Sequence, residues 1–233
     1  MIGDCCRWTL AAGLTVALAM VAVPVKAMQF HAVSLDEHVE IIVAMGPIIP
    51  GDTERLRNVL RDLPSKKHVS AIALDSPGGS LIEAQSLANF ARSMHAAVGV
   101  LSGAQCASAC FLIFAAGNHR FMAADALIGV HSASEHGSET VGSVASTMII
   151  AREAVTLGVP PLIISKMVQT PPGRMEWLTP QDLALMDVKI FEAKAPAQEN
   201  RDLSSPTALT VRRSEPQSSA APIAISGRQK RRS

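Results

Sequence analysis

Short apolar runs and helically spaced apolar residues alternate along the first half of the chain. The run HVEIIVAMG predicts a strand over residues 39–44 that ends at Gly46. A helix is predicted to begin near Asp52, with Asp52 as N-cap, because leucines follow at helical spacing at positions 56, 60 and 63. A second apolar strand, over residues 69–74, runs into the glycine turn SPGG. The first half therefore predicts strand, helix and strand in that order.

The alternation of strands and helices continues through the centre of the chain. The predicted elements are a helix over 81–94, a strand over 97–101, a helix over 107–116, a hairpin-like piece over 118–122 and a strand over 127–130. Alternating strands and helices indicate an α/β fold with a mainly parallel sheet, flanked by helices and joined by right-handed crossovers.

Beyond residue 131 the pattern becomes more helical. A polar loop leads to a long helix over residues 141–157, and Pro160 and Pro161 begin a shorter helix that runs through Val168. Thr179 is predicted to cap a last short helix, and the apolar run VKIF predicts a final strand. From about Lys194 the chain is rich in Ser, Pro, Gln and Arg, which favours a disordered basic tail. These boundaries predict one domain over 28–193 and a tail over 194–233.

The first 27 residues predict a targeting segment. Residues 9–25 are almost wholly apolar, follow Arg7, and lead to a small-residue site at Ala27 that suits signal peptidase. Export is therefore expected, with the mature protein in the periplasm. An uncleaved anchor in the inner membrane stays open, because the stretch is close to the ~20 residues that span a bilayer.

Composition mainly excludes certain classes of binding partner. The chain has 233 residues, with 21 basic against 20 acidic side chains, so no overall field attracts an anionic partner. Its aromatic content is 3%, with no tyrosine, which leaves few platforms for stacking bases. A nucleic-acid partner is therefore not expected, and the basic end RQKRRS is interpreted as a solvated tail.

Two segments 23 positions apart carry the candidate chemistry. GAQCASACFLIF contains Ser108 at the start of a predicted helix, and ALIGVHSAS places His131 at the end of a predicted strand. A serine hydroxyl becomes a nucleophile when a neighbouring base removes its proton, and histidine is the usual base. The SPGG turn, residues 76–79, follows a strand upstream, and freed backbone N–H groups of such a turn can stabilise an oxyanion. The three segments together indicate a serine hydrolase.

In this order and spacing, the segments resemble the Clp protease proteolytic subunit of the ClpP/crotonase superfamily. The resemblance covers about residues 39–190 and implies repeated β-β-α units and peptide-bond hydrolysis without a metal or organic cofactor. It implies Ser108 as nucleophile and His131 as general base. The oxyanion donors would be the N–H groups of Gly78 or Gly79 and of Ala109.

The third member of the expected triad departs from the family pattern. The family places an aspartate shortly before its last short helix, and the matching position here is Met175. Glu176 could orient His131 after a shift of one residue, and a Ser–His dyad without a carboxylate stays open. Asp182 and Asp187 are further candidates, although Asp182 is expected to be a surface charge on the helix.

Cys106 and Cys110 flank Ser108 four positions apart. In an oxidising compartment such a pair favours a disulfide, which would clamp the turn that carries Ser108. Two buried thiols remain the alternative, and a zinc site is not expected because no further Cys or His accompanies them in ligand spacing. His119 and His136 are expected to be exposed loop residues.

These observations predict an exported serine peptidase that acts on peptides or unfolded protein segments. The resemblance also implies a homo-oligomer with contacts through the helix over 141–157, and the leader allows membrane association. A non-catalytic binding protein of the same fold stays open because the carboxylate is displaced. A crotonase-type acyl-CoA enzyme is disfavoured because acyl-CoA is cytosolic.

Overall fold

A computed structural model describes residues 27–65 and 67–192. The leader prediction and the tail prediction lie outside these described residues. The elements in chain order are β1 (Gln29–Ser34), β2 (Val39–Met45), α1 (Asp52–Arg61), β3 (His68–Asp75), α2 (Leu81–Ser93), β4 (Ala97–Val100), β5 (Gln105–Ala107), α3 (Cys110–Ala115), β6 (Arg120–Ala123), β7 (Leu127–Val130), α4 (Val141–Thr156), α5 (Pro161–Gln169), β8 (Glu176–Trp177), α6 (Pro180–Leu185) and β9 (Val188–Phe191).

The strands form two sheets. The larger sheet has the order β1-β2-β3-β4-β6-β9, and all its pairs are parallel except β1 with β2. The smaller sheet has the order β5-β7-β8, in which β5 and β7 are parallel and β8 runs antiparallel to β7. The predicted α/β class with a mainly parallel sheet is confirmed.

Helix α3 forms the centre of the core. All six of its residues are buried, and Phe111 and Phe114 are among the largest fully buried side chains. A helix that is apolar on every side needs neighbours on every side. Helix α2 presents three buried alanines (Ala84, Ala88 and Ala91), whose small side chains allow close packing against the core.

Four sequence predictions need correction at the level of elements. The helix predicted over 107–116 begins only at Cys110, because residues 105–107 pair with β7 as strand β5. The hairpin-like piece is instead the parallel strand β6, which pairs with β4 and β9. Gly51, not Asp52, is the N-cap of α1. Strand β1 was not predicted, since its alternating sequence QFHAVS is too short and polar to stand out.

None of the helices within residues 27–65 and 67–192 has the length and apolarity required to cross a membrane.

Candidate active site

Ser108 lies in a tight turn between β5 and α3. Its φ angle is 57°, a left-handed conformation that costs a non-glycine residue about 1–3 kcal/mol. The turn is fixed on both sides, because the Ser108 N–H donates to the carbonyl of Gly129 in β7 at 3.0 Å and its carbonyl accepts from Phe111 at 3.0 Å. A serine on a strained strand-to-helix turn is the arrangement that exposes a nucleophile in many hydrolases.

A disulfide joins the two sides of this turn. Cys106 in β5 and Cys110 at the start of α3 are bonded, with their Cα atoms 5.3 Å apart. Both residues are fully buried. The disulfide predicted from the spacing is therefore present in the structure, and it closes a ring around Ser108.

The SPGG turn is attached to strand β5, which ends just before Ser108. Ser76 is fully buried, its N–H donates to the carbonyl of Gln105 at 2.7 Å, and its carbonyl accepts from Ala107 at 3.0 Å. Its hydroxyl accepts a hydrogen bond from the N–H of Gly78 at 3.1 Å. These bonds hold the glycine turn and the Ser108 turn side by side.

The two glycines of the turn cannot be replaced without displacing backbone. Gly78 and Gly79 have φ angles of 96° and 142°. A Cβ atom on Gly78 would lie 2.7 Å from both the Ala107 carbonyl and the Ser108 Cβ, and one on Gly79 would collide with the Ile48 carbonyl. Absence of a side chain is what allows the turn to approach Ser108 this closely.

The expected oxyanion donors differ in their availability. The N–H of Gly78 is engaged by Ser76, whereas the N–H groups of Gly79 and Ala109 donate to no acceptor among residues 27–65 and 67–192. Gly79 and Ala109 also line one cavity of about 60 Å³ together with Ser108 and His131. Of the two glycines, Gly79 is the one that lines the cavity with an N–H free of any acceptor in the described residues.

His131 follows β7 and is held by the backbone of the next residue. Its Nδ1 atom lies 2.6 Å from the carbonyl oxygen of Ser132. A carbonyl oxygen can only accept, so Nδ1 carries the proton and Nε2 is left as an acceptor. Within the described residues, no hydrogen bond joins the side chains of His131 and Ser108, although both line the same cavity.

The Ser132 backbone that orients His131 is itself fixed from two helices. The N–H of Ser132 donates to the carbonyl of Thr170, just after α5, at 2.8 Å. The following N–H, of Ala133, donates to the buried hydroxyl of Thr147 in α4 at 2.9 Å. The carbonyl that orients the imidazole therefore belongs to a backbone segment that is fixed by hydrogen bonds.

Ser132 also lines the cavity. Its residue is 5% exposed, and its Oγ has no hydrogen-bond partner within the described part of the chain. A buried hydroxyl without a partner is costly, typically by about 1–3 kcal/mol. The sequence analysis did not single out Ser132, Thr147 or Thr170, because a serine or threonine beside an apolar run carries no distinctive signal.

Glu176 does not meet His131. It lies in β8 opposite Val130, and its carboxylate is 3.1 Å from the ammonium of Lys166. It is absent from the lining of the cavity that holds Ser108. Met175, at the position where the family pattern expects an aspartate, packs its side chain over Gly129. The structure thus brings together Ser108, His131, Gly79 and Ala109, but not Glu176.

Asp182 is not the surface charge that was expected. It is 3% exposed, receives hydrogen bonds from the N–H and hydroxyl of Thr179, and lies 2.7 Å from the ammonium of Lys166. Burial opposes its negative charge, but the Lys166 and Thr179 hydrogen bonds outweigh this and lower the pKa of Asp182. The hydrogen bonds to Asp182 and then Glu176 raise the pKa of Lys166. Asp187 is exposed, as are His119 and His136, whose exposure was predicted.

Comparison with solved structures identifies the architecture. ClpP1 from Listeria monocytogenes aligns with a TM-score of 0.51 at 20% identity, over 66% of this chain and 92% of that one. The ClpP protease catalytic domain from Plasmodium falciparum aligns with a TM-score of 0.50 at 18% identity, over 69% of this chain and 88% of that one. The chain has a ClpP-like fold. No family model and no curated protein matches the sequence.

The ClpP-like fold confirms the resemblance drawn from the three sequence segments. At identities of 18–20%, the likeness concerns the fold and leaves the roles of individual side chains to the local geometry. In this ClpP-like fold, the glycine turn after β3 and His131 after β7 lie at the carboxyl ends of parallel strands, the usual position for a site in an α/β protein.

Proposed function

We propose that this protein is a serine peptidase that hydrolyses peptide bonds through an acyl-enzyme. The observation that carries the proposal is the single cavity shared by the strained Ser108 turn, His131 and the two unengaged N–H groups of Gly79 and Ala109. This combination supplies a nucleophile, a base and an oxyanion site within one small cavity.

The mechanism uses each of these groups in turn. Ser108 Oγ attacks the carbonyl carbon of the scissile bond while its proton passes to Nε2 of His131. The oxyanion accepts hydrogen bonds from the N–H groups of Gly79 and Ala109. The C–N bond breaks as His131 returns the proton to the leaving amine. Water then attacks the ester with His131 as base, which releases the acid and restores Ser108.

We assign the orientation of His131 to the Ser132 carbonyl, so that the site is a Ser–His dyad. A neutral carbonyl fixes the tautomer as a carboxylate does, but it stabilises the imidazolium less because it carries no full charge. Turnover is therefore expected to be well below that of a complete triad, for which loss of the carboxylate's charge costs ~10⁴-fold.

The unpartnered Ser132 hydroxyl is proposed as a substrate contact. A bound peptide backbone offers both donors and acceptors, and either would satisfy this hydroxyl once the Ser132 side chain rotates toward the cavity. Peptide binding would thereby remove the free-energy cost of the unpaired Ser132 hydroxyl.

The setting of the enzyme is proposed from the sequence. The apolar segment over residues 9–25 supports export to the periplasm, or attachment to the inner membrane if the segment is retained. Peptides or unfolded protein segments are the proposed substrates, as the resemblance to the Clp protease proteolytic subunit implies. A homo-oligomer is proposed from the exposed apolar side chains along α4, such as Val141 and Ile149.

A fluorophosphonate probe tests the proposed nucleophile directly. The native protein should form a covalent adduct, and Ser108→Ala should form none. Ser134→Ala is the matched control, because Ser134 lines the same cavity and its loss should leave labelling unchanged. Equal absence of labelling in all three proteins would refute the proposed peptidase.

A non-catalytic binding protein is the second candidate. Two observations favour it: no carboxylate contacts His131, and no hydrogen bond connects Ser108 with His131 within the described residues. The two candidates separate in the same labelling experiment, since a binding protein would hold peptides without reacting with the probe.

A further inference from the structure

A second cavity adjoins the nucleophile cavity and is lined by α2, α3 and α4. It has a volume of about 190 Å³ and shares three side chains, Leu81, Leu112 and Ile150, with the cavity that contains Ser108. Ile82 and Ile149 complete its apolar walls. We name this cavity the side groove. A substrate residue beside the attacked carbonyl could enter it without leaving the site.

The polar atoms of the side groove come from Gln85, Ser146 and Glu153. The Gln85 amide nitrogen donates to a Glu153 carboxylate oxygen at 3.3 Å. The hydroxyl of Ser146 donates to the Gly142 carbonyl at 3.0 Å. Both donors are thus directed at protein acceptors. What remains for a ligand is the carboxylate of Glu153, the amide oxygen and second N–H of Gln85 and the lone pairs of Ser146, so acceptors predominate.

No lysine, arginine or histidine lines the side groove, and Glu153 forms no ion pair within residues 27–65 and 67–192. A half-buried carboxylate beside apolar walls favours a cationic partner, because the low local dielectric strengthens the attraction. Lysine and arginine carry a charged donor group on a methylene stem, and the stem can pack on apolar surface. Their chemistry matches both parts of the groove.

We propose that the side groove is a specificity subsite for a basic side chain of the substrate. The residue that contributes the attacked carbonyl would lay its methylene stem between Leu81, Leu112 and Ile150, and its ammonium or guanidinium would bind Glu153 and Gln85. This inference rests on the proposed peptidase function for its link to cleavage, but the binding preference can be measured without turnover.

The test compares two peptides that are identical except for lysine or norleucine at the position before the cleaved bond. Norleucine keeps the stem and lacks the charge. Binding to full-length Ser108→Ala is measured by calorimetry, and cleavage by the native protein is measured in parallel. We expect the lysine peptide to bind about tenfold more tightly, as for a hydrogen-bonded charge, and the advantage to shrink as salt is raised.

Variants of Glu153 distinguish the groove from general charge attraction. Glu153→Gln should remove the preference for lysine, and Glu153→Lys should shift it to a glutamate peptide. Glu139→Gln is the matched control, because it deletes the same charge from an exposed position outside the groove and should leave the preference intact.

The outcomes separate the two proposals. A lysine preference that is lost in Glu153→Gln supports the subsite, whether or not Ser108 reacts with fluorophosphonate. If Ser108 does not react, the groove is a binding site and only the peptidase proposal fails. Equal binding of the two peptides, or a preference for norleucine, overturns the subsite even if Ser108 reacts. A lysine preference that survives Glu153→Gln overturns it as well.

Discussion

At the scale of single residues, the site depends on backbone conformations that few side chains tolerate. Gly79 supplies one proposed oxyanion donor, and it does so at a φ of 142° directly against the Ile48 carbonyl. Ser108 adopts a left-handed conformation although it is not glycine. Such strain is maintained only where neighbouring contacts fix it, and here they come from Gly129, Phe111 and the disulfide.

Gly79→Ala should slow peptide hydrolysis strongly and destabilise the fold. The new Cβ must displace the Ile48 backbone, which we expect to cost about 1–3 kcal/mol of unfolding free energy. Displacement of the N–H should reduce turnover by ~10²–10³-fold, the usual effect of one lost oxyanion donor. Denaturant unfolding and peptide cleavage measure the two effects. Gly173→Ala is the control for stability, since its added Cβ meets no atom within 4 Å and its backbone is not left-handed. Native-like turnover in Gly79→Ala would contradict the assignment.

Ser132→Ala should affect substrate binding more than stability. Its hydroxyl has no partner in the described residues, so removal should leave the free energy of unfolding unchanged or slightly higher. The main-chain carbonyl that orients His131 is retained. We expect a higher KM for peptides with little change in the rate of fluorophosphonate labelling of Ser108. A large loss of labelling with unchanged KM would instead place the hydroxyl in the reaction itself.

At the scale of elements, the unit formed by β5, the Ser108 turn and α3 is the centre of the molecule. The strand pairs with β7, the helix is buried on all sides, and the SPGG turn after β3 is attached through Ser76. Cys106 and Cys110 close this unit covalently. The Ser108 turn is therefore rigid because strand, helix and disulfide all constrain it.

The double variant Cys106→Ala/Cys110→Ala should fold but lose most of its reactivity. In the chain-entropy view, loss of so short a ring costs about 2 kcal/mol of unfolding free energy, which the buried core should withstand. Without the closure, the left-handed Ser108 should relax and react more slowly with fluorophosphonate. Thiol counting by mass spectrometry with and without reductant checks the bond in the native protein, and two free thiols under non-reducing conditions would contradict it.

At the scale of the whole molecule, an ion cluster around the buried Asp182 connects distant segments. Lys166 in α5 pairs with Glu176 in β8 and with Asp182 in α6. The same helix ends at Thr170, whose carbonyl holds Ser132 and thereby His131. The C-terminal elements therefore stabilise the fold and help to fix the position of the proposed base.

This cluster predicts the dependence of stability on pH. The pKa of Asp182 is lower in the folded chain than its ordinary value of 3.8, so its contribution is present above that value and is lost as pH falls through the folded pKa. The pKa of Lys166 is raised above 10.5, so its contribution is present below 10.5 and is lost as pH rises through the folded pKa. Stability should thus fall at both ends of the pH range.

Lys166→Met tests this dependence. Removal of the cation leaves the buried Asp182 without its partner and should lower stability at neutral pH by about 1–3 kcal/mol. The loss of stability on acidification below pH 4 should become smaller than in the native protein, because the remaining carboxylate is no longer held ionised. Urea unfolding at several pH values measures both effects. Lys189→Met, at an exposed position, is the control.

The sequence by itself determined the helices to within a few residues, the strands β2, β3, β4, β7 and β9, the Ser108 and glycine turns and the spacing of the disulfide. Local pattern was sufficient for these features, since each depends on residues close together in the chain. It began the helix at Ala107 instead of Cys110, because a small apolar residue there fits either a helix or a buried strand until β7 lies beside it.

Only the tertiary structure decided which groups meet across the chain. Glu176 pairs with Lys166 because β8 pairs with β7 in a register that sets Glu176 opposite Val130. The same lysine binds the buried carboxylate of Asp182. The backbone beside His131 is held by Thr170 and Thr147, and Glu153 comes to the wall of the side groove through the packing of α4 near α2. Register and packing join residues that are far apart in sequence, so no local pattern records them.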